Sequence, residues 1–425
     1  MTTVAPDIHR TIDAVWRIES ARLVAGLARM VHDVGLAEEL AQDALVSALE
    51  QWPDSGVPDN PGAWLMAVGK RRAIDQIRRQ DRLERKVEEI GRDLETRQVA
   101  AGPDDVEEIQ DDLLRLVFTS CHPVLSTEAR VALTLRLLGG LTTDEIARAF
   151  LVPEATVAQR IVRAKRTLTK KKVPFEVPAG AELTERLSSV LEVIYLIFNE
   201  GYSATTGEHW TRPELCADAM RLARMLARLA PHEPEVHGLV ALLEIQASRI
   251  RARTGPEGEP VLLLDQDRAR WDQLLIRRGL AALDRAESLT DTPGPYTLQA
   301  AIAACHARAR RQEDTDWVRI AALYTALAQR MPSPVVELNR AVALSMAFGP
   351  AAGLELVDEL VGDPALRGYH LLPSVRGDLL RKLGRDAEAR AEFERAAELT
   401  RNARERNLLL ERARACAERA GQPTG

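Results

Sequence analysis

The stretch LTTDEIARAFLVPEATVAQRIVRAKRTLTKKK, residues 141–172, constrains this chain more than any other. Its apolar residues follow two helical registers with a break between them. Ile146, Ala147 and Phe150 share one face of a first helix, and Leu151-Val152-Pro153 interrupts it, because proline cannot continue a helix without losing a backbone bond. Val157, Ile161, Ala164 and Leu168 then recur at three- and four-residue spacing as the buried stripe of a second helix. That stripe leaves Glu154, Thr156, Gln159, Arg160 and Arg163 outside. Such a pair is either an ordinary helical corner or a helix-turn-helix, in which the second helix meets base edges and phosphates with hydroxyl, amide and guanidinium groups. The tail favours the helix-turn-helix. Between Ala158 and Phe175, Arg160, Arg163, Lys165, Arg166 and Lys170 to Lys172 are accompanied by no acidic residue.

A second basic run, Lys70, Arg71, Arg72, Arg78, Arg79, Arg82, Arg85 and Lys86, lies on AWLMAVGKRRAIDQIRR and just beyond it. The spacing predicts a helix that opens on Pro61, buries Trp64, Leu65, Val68, Ile74 and Ile77, and exposes the cations. WPDSGVPDNPG, 52–62, precedes it as a loop. Net charge is −6, so the two patches sit on an acidic chain, which suits contact with nucleic acid at two places rather than a general coating of it. Upstream, apolar residues from Ile12 to Val31 and from Leu36 to Leu49 predict two more helices.

Aromatic residues are only 4% against 46% hydrophobic and 28% charged, a balance that suits packed helices and predicts an all-α class. At 425 residues the chain exceeds one ordinary core, so several domains are expected. Residues 87–107 read as a linker leading into the acidic helix start GPDDVEEIQDD. Helices are expected near 110–122, 126–138, 142–150 and 153–171, with Ser126 and Thr142 or Thr143 as N-caps, and VPFEVPAG, 173–180, ends this unit. Helices continue beyond it. Gly377, Leu380, Ala389, Phe393 and Ala396 match the packing positions of a 34-residue helical-hairpin repeat, and Ala341, Leu344, Gly353, Val357 and Leu360 match them one repeat earlier. Cys121, Cys216, Cys305 and Cys416 are too far apart for a zinc or disulfide framework and read as small core residues in a reducing cytoplasm. The most apolar run, VLEVIYLIF, carries Glu192 and is too short to span a bilayer, and the N-terminus has no signal-peptide pattern. A cytoplasmic protein without membrane partners is therefore expected. His209, Cys121 and His122 show no ligand or triad spacing, so neither an enzyme nor a metal or cofactor is expected.

Residues from about 10 to 172 resemble the extracytoplasmic-function type of bacterial RNA polymerase sigma factor. DVGLAEELAQDALVSALE is similar to that family's core-binding helix, AWLMAVGKRRAIDQIRR to its minus-ten helix, and TTDEIARAFLVPEATVAQRIVRAKRTL to its minus-thirty-five reader, in the right order. Arg71 stands where the family commonly has Asn, and Ala158-Gln159 where Lys-Ser is common, so base preferences there do not transfer. The resemblance implies a sigma region 2 domain at 1–86, the linker at 87–107, a region 4 domain at 108–175, a helical middle domain at 176–290 and repeats resembling tetratricopeptides at 291–425. It implies that Glu39, Gln42 and Asp43, aligned on one helix face, dock on the clamp of polymerase core, with the flap as a further core contact. Trp64, Lys70, Arg71, Arg72, Arg78 and Arg79 would serve the minus-ten element, with the 54–62 loop cupping an extruded base. Glu154, Thr156, Gln159, Arg160, Arg163, Lys165 and Arg166 would serve the minus-thirty-five element of promoter DNA.

The extra half resembles the C-terminal extension of one sigma subfamily, and YLIFNEGYSATTGEHW, 195–210, matches a stretch characteristic of it. Asn199, Glu200, Gly201 and Tyr202 there read either as an interdomain latch or ligand motif, or as a helix end with Asn199 and Gly201 in turn conformations. The repeats offer a surface for a protein or peptide partner. A rival reading is a helix-turn-helix transcription regulator with a sensing domain; AEELAQDAL and the AWL…AID helix, which such a regulator does not need, speak against it.

Overall fold

The computed structural model describes residues 5–88, 106–150, 152–202, 211–255, 259, 261–400 and 402–420. Among them are eighteen α-helices, short 3-10 turns and no strand, the all-α class expected. The chain divides into two compact units, Met1–Ile194 and Tyr195–Gly425. Of the linker expected at 87–107, residues 87–88 end α3 and 106–107 begin α4, and 89–105 lie outside the described residues.

In the first unit, α1 (Ala5–Val31), α2 (Val34–Ser55) and α3 (Pro61–Glu88) pack around Ile12, Leu23, Leu27, Trp52 and Leu65. The Asp33 carboxylate caps α2 by accepting from Leu36 N–H, and Asn60 caps α3 by accepting from Ala63 N–H. Two expectations are corrected here. α2 continues through Pro53 to Ser55, so the loop is shorter than 52–62. Trp52 is fully buried and anchors the last turn, where Pro53 costs one backbone bond at most, and Gly56 at φ +80° ends the helix. On α3, Ile74 is 37% exposed, while the buried line runs through Leu65, Gly69 and Ala73. Leu23 and Leu27 of α1 lie 3.0–3.4 Å from where a Cβ on Gly69 would stand, so the close approach of α1 sets the inner face of α3.

The rest of the unit is α4 (Val106–Ser120), α5 (Thr127–Leu137), α6 (Thr143–Phe150), α7 (Glu154–Lys170) and the first turns of α8 (Gly180–Tyr202). Ser126 caps α5. Thr142 and Glu145 exchange reciprocal bonds at 3.1 and 2.8 Å, a capping box that starts α6. The second unit strings α9 (Pro213–Leu229), α10 (Pro234–Ala247), α11 (Gln273–Leu289), α12 (Pro295–Arg308), α13 (Trp317–Arg330), α14 (Pro334–Phe348), α15 (Pro350–Leu360), α16 (Leu371–Lys382), α17 (Asp386–Leu399) and α18 (Ala403–Ala420); most pack on their chain neighbours, while α12 packs chiefly on α10. The repeat positions meet as expected. A Cβ on Gly353 would lie 2.7 Å from the Ala341 carbonyl oxygen, and one on Gly377 would lie 3.0 Å from the Phe393 ring, so these glycines let paired helices touch. All four cysteines are buried and unpaired.

Candidate nucleic-acid interface

The helix-turn-helix has the expected inside and outside. Ile146, Ala147, Val157, Ile161, Ala164 and Leu168 are buried, while Phe150 is half-buried. On α7, Glu154, Gln159, Arg163 and Arg166 are exposed, whereas Thr156, Arg160 and Lys165 are partly buried. Glu154 in the first turn and Lys170 in the last match the helix dipole. Val162, which the sequence reading passed over, is 44% exposed on the same helix.

On α3, Arg71, Arg78 and Arg79 are exposed and Lys70 is half-buried. Arg72 instead turns back to α2, pairing with Asp43 at 2.8 Å and donating to the Ser47 hydroxyl at 2.9 Å. Trp64 is half-buried and meets the Trp52 ring edge-on, with centroids 5.3 Å apart, so it braces the start of α3. A cavity of about 400 Å3 opens beside this start, walled by Asn60, Gly62, Ala63 and Met66 with Glu19, Arg22 and Arg29 of α1 and Asp112 of α4.

Glu39 and Asp43 are exposed on α2, and Gln42 is half-buried, donating to Glu38 at 2.7 Å. Val46 (49% exposed) and Leu49 (37% exposed) extend the same outer face. The sequence reading had grouped Leu49 with the apolar residues of this helix and missed Val46; the spacing from Glu39 through Asp43 to Val46 and Glu50 was the available signal.

Residues 18–83 match the family description Sigma-70 region 2 and residues 115–168 match Sigma-70, region 4, while 186–287 match a family of unknown function, DUF6596. An uncharacterised protein of Rhizobium meliloti (strain 1021) is 47% identical over 384 residues, 90% of each chain. The probable ECF RNA polymerase sigma factor SigI of Mycobacterium tuberculosis is 25% identical over 57% of this chain and 91% of its own. The ECF RNA polymerase sigma factor SigK of Mycobacterium bovis is 29% identical over 35% of this chain and 78% of its own. The chain belongs to the extracytoplasmic-function sigma factors. It is a sigma factor that directs transcription initiation and carries a helical C-terminal extension. No helix among its described residues is long and apolar enough to cross a membrane.

In this sigma factor the helix expected to meet polymerase core, α2, and the helix expected to meet the minus-thirty-five element, α7, are in contact. Glu38, only 4% exposed on α2, receives Arg136 of α5 at 2.6 Å and also pairs with Lys165 of α7. Asp33 at the head of α2 accepts from the Thr169 hydroxyl at 2.8 Å. Arg29 of α1 meets Asp112 of α4 at 2.8 Å, and Arg17 meets Glu145 at 2.8 Å. Burial raises the Asp112 carboxyl pKa, and Arg29 and Arg115 oppose the rise. Lys165 thus serves an internal ion pair.

The motif at 199–202 is corrected in one respect: all four residues lie inside the last turns of α8, not in turn conformations. The Gly201 carbonyl accepts from Arg212 N–H at 2.6 Å, and a Cβ there would stand 2.8 Å from the Cys216 backbone nitrogen. Glu200 pairs with Arg212, and Tyr202 stacks on Phe198 at 5.5 Å. His209 lies outside the described residues.

Proposed function

We propose that α2 docks on polymerase core, that α3 and the loop before it hold the minus-ten element, and that α7 reads the minus-thirty-five element. The observation that carries this reading is the outer face of α2, where Glu39 and Asp43 alternate with exposed Val46 and Leu49. Carboxylates beside apolar side chains, on a helix whose other face is fully packed, suit a basic coiled coil such as the polymerase clamp. Arg71, Arg78 and Arg79 supply charge for phosphates, and the cavity beside Asn60 and Met66 offers room for an extruded base. Gln159 and Arg163 stand exposed for base or phosphate contact, and region 4 is the part to meet the polymerase flap. Residues 1–86, 108–175, 176–290 and 291–425 would then act as region 2, region 4, a middle domain and a repeat domain, in the cytoplasm. The extension would regulate initiation in the same chain and offer its stacked hairpins to a protein or peptide partner.

The test is a pull-down of polymerase core followed by transcription from a target promoter. Asp43→Arg should weaken core binding about tenfold or more while leaving the helical content unchanged, because it sets a cation against a basic partner. Unchanged core affinity would remove α2 from the interface. Promoter binding without any core binding would favour the regulator reading.

A further inference from the structure

Within the second unit, a cleft of about 690 Å3 opens between the start of α9 and the 3-10 turns Ile250–Ala252 and Arg268–Arg270. Arg251 and Arg270 stand exposed on its wall, and neither forms an ion pair among the described residues. The wall's carboxylate, Asp272, caps α11 through its Oδ1, which accepts from Leu274 N–H at 2.9 Å and Leu275 N–H at 3.1 Å, so the wall carries two guanidinium charges against this one carboxylate. Thr211 and Thr254 add hydroxyl groups.

Behind this wall the charge is also positive. Trp271, which lines the cleft and is 4% exposed, carries the Arg249 guanidinium over its ring at 5.7 Å and that of Arg268 at 4.9 Å. Arg268 is held by the His306 and Ala309 carbonyls, both at 2.7 Å. Arg249 is only 6% exposed, its Nε has no hydrogen-bond partner, and no carboxylate pairs with it among the described residues. Arg253 lies over Tyr202 at 3.7 Å, which brings the end of the 199–202 motif to the same cluster. Burial lowers the pKa of Arg253 and Arg268, and the Arg249 charge lowers both further. Asp314 and Glu313 act on Arg268 in the opposite sense, so the positive potential behind the wall rests chiefly on Arg249, and an anion in the cleft gains from it.

We propose that this cleft is a binding site for a phosphorylated small molecule, with Arg251 and Arg270 gripping its phosphate and Thr211 and Thr254 donating to it. The guanidinium fork matches phosphate oxygens two at a time, and two forks hold one phosphate group. The volume falls in the range of small-molecule sites, roughly 300–1,000 Å3. Arg249 and Arg268 fix the Trp271 wall, and Arg249 keeps the local potential positive.

Titration calorimetry of the full chain tests this with adenosine monophosphate and ribose 5-phosphate as probes, and adenosine and ribose as their phosphate-free counterparts. The phosphorylated probes should bind one per chain and the others should not. Arg251→Ala with Arg270→Ala should weaken binding by at least about tenfold, while Arg330→Ala, on the far end of α13, should leave it unchanged. Arg251→Lys with Arg270→Lys keeps the charge but not the fork, and should fall in between; it serves if the alanine pair melts early. Equal binding of adenosine and its monophosphate would overturn the proposal, as would full affinity in the alanine and lysine pairs. Absence of binding by both phosphorylated probes at about 10 mM would overturn it too. Arginine-dependent capture of a short DNA duplex without small-molecule binding would assign the cleft to a nucleic-acid backbone instead.

Discussion

His306 is 7% exposed, set edge-on to Trp317 with 5.1 Å between ring centroids. Burial first, and then the charges of Arg249 and Arg268, push its pKa down to about 3. An unfolded histidine titrates near 6.5, so below that pH the unfolded chain binds a proton that the folded chain refuses. Stability should therefore be intact above about pH 6.5 and fall as pH drops toward 3, with a loss of about 2 kcal/mol by pH 5. Urea unfolding at pH 7.5 and pH 5 checks this, with His306→Gln losing that part of the acid sensitivity; an identical pH slope in the variant would refute the assignment. Nothing in ACHAR marks His306, because its burial and its cationic neighbours come from α12, α13 and a turn far along the chain. Gly201 shows the opposite case. The sequence pointed to the glycine, but for a turn; the reason it must be glycine is the Cys216 backbone 2.8 Å from its missing Cβ, which no local pattern records.

At the scale of elements, α7 was legible because its stripe of Val157, Ile161, Ala164 and Leu168 is spaced as a helix face and the cations fall on the other side. The inner face of α3 was misplaced for a physical reason. Counting large apolar residues favoured Ile74, whereas small Gly69 and Ala73 let α1 come close and took the buried line. The pairing of Arg72 with Asp43 was also illegible, since each was assigned outward from its own helix and only the α2–α3 contact joins them. A prediction follows for α7. Arg163→Ala should cost roughly 1–3 kcal/mol of promoter binding if the guanidinium reads a base, or lower the salt slope by about one if it meets a phosphate. Arg160, which is partly buried near Glu128, should lose less to alanine. Filter binding across a salt series separates these outcomes, and tolerance of both changes at every salt concentration would move the DNA contact off α7.

At the scale of the molecule, the first turns of α8 belong with region 4. Arg186 donates to the Phe118 carbonyl at 2.9 Å and Ser189 to the Cys121 carbonyl at 2.7 Å, so a chain ending at Val173 should melt lower than one ending at Tyr202, by about 5 °C or more. Transcription by the Tyr202 chain equal to that of the full chain would remove a regulatory role for the extension. A larger constraint comes from the contact of α2 with α7. Promoter elements named for positions ten and thirty-five stand about 25 base pairs apart, or about 85 Å at 3.4 Å per pair. On the proposed assignment α3, which packs on α2, holds one element and α7 the other; while Glu38, Lys165, Asp33 and Thr169 join α2 to α7 the two elements cannot be served at once, so initiation should require this contact to part. A disulfide can hold it shut. A Cβ built on Gly35 lies 3.7 Å from the Lys165 Cβ, within the usual span of about 3.5–4.5 Å, and the Asp33 carboxylate 3.0 Å away has only to shift slightly. Gly35→Cys with Lys165→Cys should therefore crosslink on oxidation and lose promoter-directed transcription, and reduction should restore it to the level of the same protein never oxidised. Glu38→Gln should act the other way, raising promoter complex formation at limiting sigma factor by releasing Arg136 and Lys165 from the buried carboxylate. An oxidised, crosslinked protein that still initiates at the reduced rate would show that α2 and α7 work without separating, and would place promoter recognition on other surfaces of the first unit.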